Sequence, residues 1–165
     1  MEIRAASSYD AEAIAAIYGH HVLHGTASFD EVPPTVEFWR DKIAGIAAKG
    51  WPFLVATEGD AVVGYCYATQ FRDRPAYAFT CENSIYVHPE HMGQGIGRVL
   101  LGQLVAAAKA AKFREMIAVI GGAEPASVAV HRACGFVETG RMKSVGYKFG
   151  RWLDSLYMQL RLHDD

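Results

Sequence analysis

Ile85-Tyr86-Val87-His88-Pro89-Glu90-His91-Met92-Gly93-Gln94-Gly95-Ile96-Gly97-Arg98 is the stretch on which the reading of the whole chain turns. A β-branched and aromatic run ends at Pro89, three alternating glycines follow, and an apolar helical pattern begins at once. Strand, glycine loop and helix together build an anion site. Glycines let the main chain approach a ligand closely, and the first-turn N–H groups of a helix lack intrahelical partners. The helix dipole adds partial positive charge there, and Arg98 adds a full one. The segment reads as the seat of a ligand that carries phosphates.

Spacing removes two common phosphate loops. The Walker pattern G-x-x-x-x-G-K-[ST] is absent from the chain. The dinucleotide pattern G-x-G-x-x-G fails as well. Counted from Gly93 its third glycine is Arg98, counted from Gly95 it is Leu100, and the loop lies past mid-chain instead of opening the domain.

The bounds suit a small enzyme. With 165 residues and 51% hydrophobic content the chain is expected to form one domain, 1–165, with a sizeable core. A net charge of −2 and a pI near 6.4 carry no electrostatic footprint of a nucleic-acid partner. The three cysteines, Cys66, Cys81 and Cys134, are far apart with no C-x-x-C. They argue against a disulfide framework or structural zinc and for a reducing cytoplasm. Met1 runs into Glu2-Ile3-Arg4 without an apolar leader, and no run of about 18 apolar residues exists, so neither a signal segment nor a membrane span is expected.

Along the chain, residues 2–5 read as a strand. Asp10 is the expected cap of a helix carrying Ile14, Ile17, Tyr18 and Val22 on one face. Pro33-Pro34 breaks the chain, and Thr35 caps a second helix reaching about Lys49. Strands at 52–58 and 61–71 turn at Glu58-Gly59-Asp60, and another strand covers 77–88. The helix after the glycine loop buries Ile96, Leu100 and Leu104. Strand 115–121 follows, then a short helix with Pro125 in its first turn, then strands 136–148 and 152–160 joined at Phe149-Gly150-Arg151. Antiparallel strand pairs around a helical crossover make a mixed α/β domain (α+β in its mixed sheet), not a doubly wound parallel sheet.

The loop Met92 to Gly97, as x-x-G-x-G, resembles the pyrophosphate loop of the GCN5-related N-acetyltransferase superfamily. Further motifs narrow the resemblance to its phosphinothricin and methionine sulfoximine–sulfone acetyltransferase branch. They are Phe71-Arg72-Asp73-Arg74-Pro75-Ala76-Tyr77, Glu82-Asn83-Ser84-Ile85-Tyr86-Val87, Ala126-Ser127 with His131, Cys134-Gly135-Phe136, and Gly146-Tyr147-Lys148-Phe149-Gly150-Arg151-Trp152-Leu153-Asp154. They stand in the branch's order over nearly the whole chain. The resemblance implies a twisted mixed sheet that splays between its fourth and fifth strands, 77–88 and 115–121. Acetyl-CoA lies in the split as co-substrate, and acetyl is transferred without a metal to the α-amine of a small amino-acid analogue, usually by a homodimer.

Carried over by motif, Ile85, Tyr86 and Val87 offer main-chain groups to the pantetheine arm, and Gly93, Gln94, Gly95, Ile96, Gly97 and Arg98 hold the pyrophosphate. Met92 departs from the usual Gln or Arg. Glu124 stands where the family carries a cofactor-contacting Asn, and an acid there would repel phosphates. Glu82 is the expected base, because an ammonium must lose a proton before its nitrogen attacks a thioester, and burial would raise its pKa toward that task. Its plainer role is an ion pair with Arg72 or Arg74. Those two arginines, sharing a face if the segment is extended, would bind the substrate carboxylate, with Asp73, Tyr77, Asn83 and Ser84 around them. His131 would donate a proton to the leaving thiolate, hold the substrate, or merely pack. Tyr147 and Trp152 would serve the core or a dimer contact. A helical arm at 28–39 would roof the substrate, with Phe29, Phe38 and Trp39 as apolar walls or as core.

His20 and His21 point about 100° apart on a helix, and His88 and His91 have no carboxylate or Cys cluster to complete a metal site. Cys81 or Cys134 as an acyl carrier lacks an activating neighbour in sequence. Two rivals stand beside the main reading. One is the same fold acting on a protein N-terminus, polyamine or antibiotic; the other is an acyl-CoA-binding sensor without catalysis.

Overall fold

Seven segments become strands in the computed structural model, which describes residues 1–165. They are β1 (Glu2–Ala5), β2 (Phe53–Glu58), β3 (Ala61–Gln70), β4 (Thr80–Val87), β5 (Glu115–Gly121), β6 (Val137–Lys148) and β7 (Arg151–Arg161). Four helices accompany them: α1 (Ala11–His24), α2 (Val36–Ala48), α3 (Ile96–Ala110) and α4 (Pro125–Ala133). One mixed sheet results, in the order β1-β2-β3-β4-β5-β7-β6. Only β4 and β5 run parallel, and α3 is their crossover, as a parallel pair requires.

The sheet is covered on both faces, and strand alternation assigns the sides. Phe53, Val55, Tyr65 and Tyr67 pack with Ile14, Ile17, Trp39 and Ile43 of α1 and α2. Ala56, Cys66, Ala68 and Cys81 pack instead with Leu100, Leu101 and Leu104 of α3. On β4 the same alternation sends Glu82, Ser84 and Tyr86 toward α1 and α2, and Cys81, Asn83, Ile85 and Val87 toward α3 and α4.

Local chemistry sets the boundaries. Thr35 Oγ1 accepts from Phe38 N at 3.1 Å and starts α2, and Pro125 opens α4. Asp10 departs from expectation. It precedes α1, but its carboxylate accepts backward from Ser7 N (2.8 Å) and from both Arg4 terminal nitrogens (2.8 and 2.9 Å). It therefore closes a single 3-10 turn, Ser8–Asp10, and ties β1 to it. The fourth strand begins at Thr80, not at residue 77, because Pro75 opens a 3-10 turn through Tyr77. At the last hairpin Phe149 (φ 53°) and Gly150 (φ 73°) are both left-handed, the two-residue turn whose twist matches the flanking strands. Arg151 already belongs to β7.

Candidate active site

After β4 the chain makes one 3-10 turn, Pro89–His91, capped by His88 Nδ1 accepting from Glu90 N at 3.1 Å. Gly93 (φ 78°) and Gly95 (φ 81°) then take left-handed backbone that side chains resist. Gly95 is the N-cap of α3 and has no side chain to satisfy the first turn. The first bond into the helix is Val99 N to Gly95 O, so the amides of Ile96, Gly97 and Arg98 have no intrahelical acceptor. Gln94 and Arg98 are exposed beside them. These open donors at the positive end of a 15-residue helix fit a pyrophosphate. Gly97 also lies against α4, where a Cβ would make an ordinary 3.6 Å contact with Val130, so its contribution to the site is its amide and not a need for close packing. Met92 is exposed and apolar, and Glu124 is already committed: its carboxylate accepts from Ala126 N (3.1 Å) and Ser127 N (2.8 Å) and caps α4.

The sheet opens just upstream of this loop. β4 and β5 pair at only three positions, Thr80↔Glu115, Cys81↔Met116 and Glu82↔Ile117, and diverge beyond them. The bonds His88 N→Val63 O and Phe71 N→Thr80 O fix the β3–β4 ladder. In an antiparallel ladder alternate residues bond to one neighbour, so Glu82, Ser84 and Tyr86 spend their main-chain groups on β3. Asn83, Ile85 and Val87 turn theirs toward the split. Val87 O is taken by His21 Nε2 at 2.7 Å. Asn83 and Ile85 therefore offer the edge along which an extended amide-bearing arm can pair, whereas Tyr86 offers its ring. A cavity of about 280 Å³ fills the split, lined on its β4 side by Glu82 to Tyr86 and on its β5 side by Ala118 to Gly121.

Glu82 sits where the pairing ends, with 32% of its side chain exposed. Burial raises its pKa above the usual carboxylate value, and the nearby Arg72 and Lys42 cations only partly offset that. Arg72 Nη1 lies 3.6 Å from Glu82 Oε1, with its guanidinium 4.0 Å over the Phe71 ring. The arginine segment is not extended. It bends through 71–74, held by Gln70 Nε2 donating to the Arg72 and Arg74 carbonyls (2.7 and 3.2 Å). Arg72, Asp73, Arg74 and Tyr77 are all exposed and outside the cavity wall, and of this group only Arg72 reaches Glu82.

His131 is 2% exposed and lies across β4 from Glu82. Its Nδ1 donates to the Ser127 carbonyl at 2.8 Å, which makes Nε2 an acceptor. Asn83 Oδ1 faces that nitrogen at 3.1 Å, two acceptors toward each other. The Asn83 NH₂ finds no partner, so hydrogen-bond logic turns the amide to donate into the ring. Burial lowers the His131 pKa, which suits this neutral, doubly bonded imidazole. His131 thus holds Asn83 in place.

The opposite wall was not visible in the motifs. Tyr18 of α1 and residues 27–30 complete the cavity. Tyr18 OH donates to the Asp30 carboxylate and lies 2.7 Å from Ser28 Oγ. The roof is an irregular strap rather than a helical arm, because α2 starts only at Val36. Of the three aromatics expected there, Phe29 lines the cavity, Trp39 is core and Phe38 is exposed. Ser28-x-Asp30, a short turn-forming polar pair, was the available signal. Tyr147 and Trp152 are exposed and lie ring to ring at 4.9 Å, so they are not core. The thiols are unsuited to carrying an acyl group. Cys81 is buried with its pKa pushed up to about 12, and burial raises that of Cys134. No group of three or more His, Cys, Asp or Glu side chains is arranged to hold a metal.

Comparison with known proteins agrees with this geometry. Residues 3–157 match the family model described as an acetyltransferase (GNAT) domain. The chain is 47% identical to a phosphinothricin N-acetyltransferase of Alcaligenes faecalis, over 98% of this chain and 82% of that protein. It is 38% identical to an L-methionine sulfoximine/L-methionine sulfone acetyltransferase of Salmonella typhimurium, over 99% of this chain and 96% of that one. Its structure superposes with a TM-score of 0.94 on a GNAT superfamily phosphinothricin acetyltransferase from Sinorhizobium meliloti in complex with acetyl-CoA, at 47% identity and covering 97% and 87% of the two chains.

Proposed function

The chain belongs to the GNAT family and is an acetyl-CoA-dependent N-acetyltransferase, and we propose that its acceptor is the α-amine of a small amino-acid analogue of the phosphinothricin, methionine sulfoximine or methionine sulfone type. The observation that carries this acceptor class is Glu82 at the mouth of the split, desolvated, with the Arg72 guanidinium 3.6 Å away. An α-amino acid brings an ammonium and a carboxylate only a few atoms apart, and this pair of side chains complements both. A polyamine has no use for the arginine.

Acetyl-CoA supplies an acyl carbon already activated as a thioester. Asn83 and Ile85 pair with its pantetheine arm, and the open amides of Ile96 to Arg98 take its phosphates. Glu82 removes the ammonium proton, directly or through a water, and its raised pKa brings it closer to that of the donor. Arg72 steers the acceptor's carboxylate. A thiol of ordinary pKa, about 8.5, leaves as thiolate with little help, which is consistent with His131 acting as the support of Asn83 and not as a proton source.

The whole of 1–165 is read as one domain. Three free thiols without a disulfide favour a reducing, cytoplasmic setting, and no helix is long and apolar enough to cross a membrane. Self-association is supported by the outer strand β6, which with its turn and β7 exposes Val137, Met142, Val145, Tyr147, Phe149 and Trp152; sedimentation velocity reads it directly. The function is tested by CoA-thiol release with methionine sulfone, methionine sulfoximine, phosphinothricin, ordinary amino acids, a polyamine and a short peptide. Saturable release with the sulfur or phosphorus amino acids, lost in Glu82→Gln while acetyl-CoA still binds, is the expected result. Release with the polyamine or peptide alone would overturn the acceptor assignment.

A further inference from the structure

Residues 26–30, the strap along the cavity mouth, are held by residues more than 90 positions away in sequence. Gly121 at the end of β5 lies under the strap so closely that a Cβ there would be 2.6 Å from the Ala27 carbonyl oxygen. On β6, a Cβ at Gly146 would be 2.5 Å from the Phe29 ring. Lys148 is 3% exposed and donates from Nζ to the Ser28 carbonyl at 2.7 Å.

Gly146 and Lys148 are the two buried residues of β6, and their spacing puts them on one face. The ladder is interrupted between Met142 and Gly146. Asp154 of β7 braces that interruption, accepting from Ser144 N (2.9 Å) and Arg141 Nε (2.8 Å). An irregularity of this kind re-aims a strand, and here the re-aimed face meets the strap. Ser28 is gripped from both sides. Its carbonyl is held by Lys148, while its hydroxyl meets Tyr18 OH and accepts from Asp30 N at 3.1 Å.

We propose that the β6–β7 hairpin sets acceptor selectivity from a distance: Gly146 and Lys148 are positioning residues that fix the strap, and Phe29, seated over Gly146, is the wall that sizes the space for the acceptor's side chain. The proposal rests on the acceptor reading above. Two features favour it over ordinary packing. Gly146 has no left-handed φ, so its lack of a side chain is needed for the ring and not for the backbone. And a buried ammonium, a costly group for filling space, makes its hydrogen bond to a carbonyl of the cavity wall, with Asp30 and Glu31 of the same strap segment as its nearby counter-charges.

The experiment is a double-mutant cycle. Gly146→Ala is made alone and in a Phe29→Ala background, with kcat/KM measured for methionine sulfone and for a smaller amino acid, acetyl-CoA affinity by calorimetry, and amide exchange at 26–30. Gly146→Ala alone is expected to change the ratio between the two amines by about tenfold, the scale of one methylene in a fitted pocket. Acetyl-CoA affinity should hold within about twofold, and the change should vanish when Phe29 is absent. Lys148→Met should raise the amine KM with kcat kept and speed exchange in the strap, and Lys148→Arg should restore part of both. Equal effects of Gly146→Ala in the two backgrounds, or unchanged exchange in Lys148→Met, would overturn the proposal. If the unmutated protein acetylates none of the amines, the acceptor reading fails, and the exchange data still decide whether the hairpin holds the strap.

Discussion

A carboxylate can take a proton from an ammonium group at useful rates only when their pKa values are brought nearer, and at Glu82 burial does this while Arg72 pulls the other way. Opposed influences give a signed prediction. Protonated Glu82 is inactive as a base, so kcat/KM falls below its pKa. Removing Arg72 removes a neighbour that lowers that pKa, so in Arg72→Ala the acid limb moves to higher pH, and the variant loses proportionally more activity at pH 6 than at pH 8. The amine KM rises as well, because the acceptor's carboxylate loses its partner. A pH series of kcat/KM checks both, and an acid limb that stays put would detach Arg72 from the base. The position of Glu82 was pointed to by the motif it shares with the family, and the open loop amides by the glycine spacing before α3. The locked state of His131 was not legible in the sequence. It depends on Ser127 and Asn83 arriving together from α4 and β4, and spacing along one helix contains no trace of Asn83.

Elements with local causes were read well: the glycine start of α3, the Thr35 cap, the Pro125 start of α4 and the short final hairpin. Elements were misjudged where a side chain acts across the chain. Asp10 has the look of a forward helix cap, yet Arg4 on β1 draws its carboxylate back, and the segment's role becomes the joining of β1 to α1. Burial alone would raise the Asp10 pKa, but the Arg4 fork and the Ser7 amide outweigh it, and the folded value is lowered. The stabilisation is therefore fully present above the ordinary Asp value of 3.8 and is lost as pH falls through the depressed folded one. Asp10→Asn is expected to lose about 2 kcal/mol at pH 7, the scale of hydrogen bonds to a charged group. Urea unfolding should show that deficit narrowing in acid; a deficit independent of pH would mean that charge plays no part in the tie.

At the scale of the molecule, the three-position contact between β4 and β5 joins two well-paired blocks of sheet. A ligand that lies along the divergence and bonds to one side stabilises the folded state by mass action. With acetyl-CoA at a hundred times its Kd the gain is about 2.7 kcal/mol, or roughly 5–10 °C in Tm for a domain of this size. Thermal melts with and without the ligand measure it. The divergence also gives the sheet an edge in its middle. Exposed edges are templates on which stray chains add and aggregates grow, and most proteins confine them to the rim, where charge or a twist can blunt them. If Asn83 and Ile85 are to stay open for the pantetheine arm, their protection has to be architectural, and the strap, α4 and the β5 wall that line the cavity with them supply it. Heated without its ligand, the protein should therefore scatter light as it melts, and the arm that fills the cavity should delay that clouding along with the unfolding.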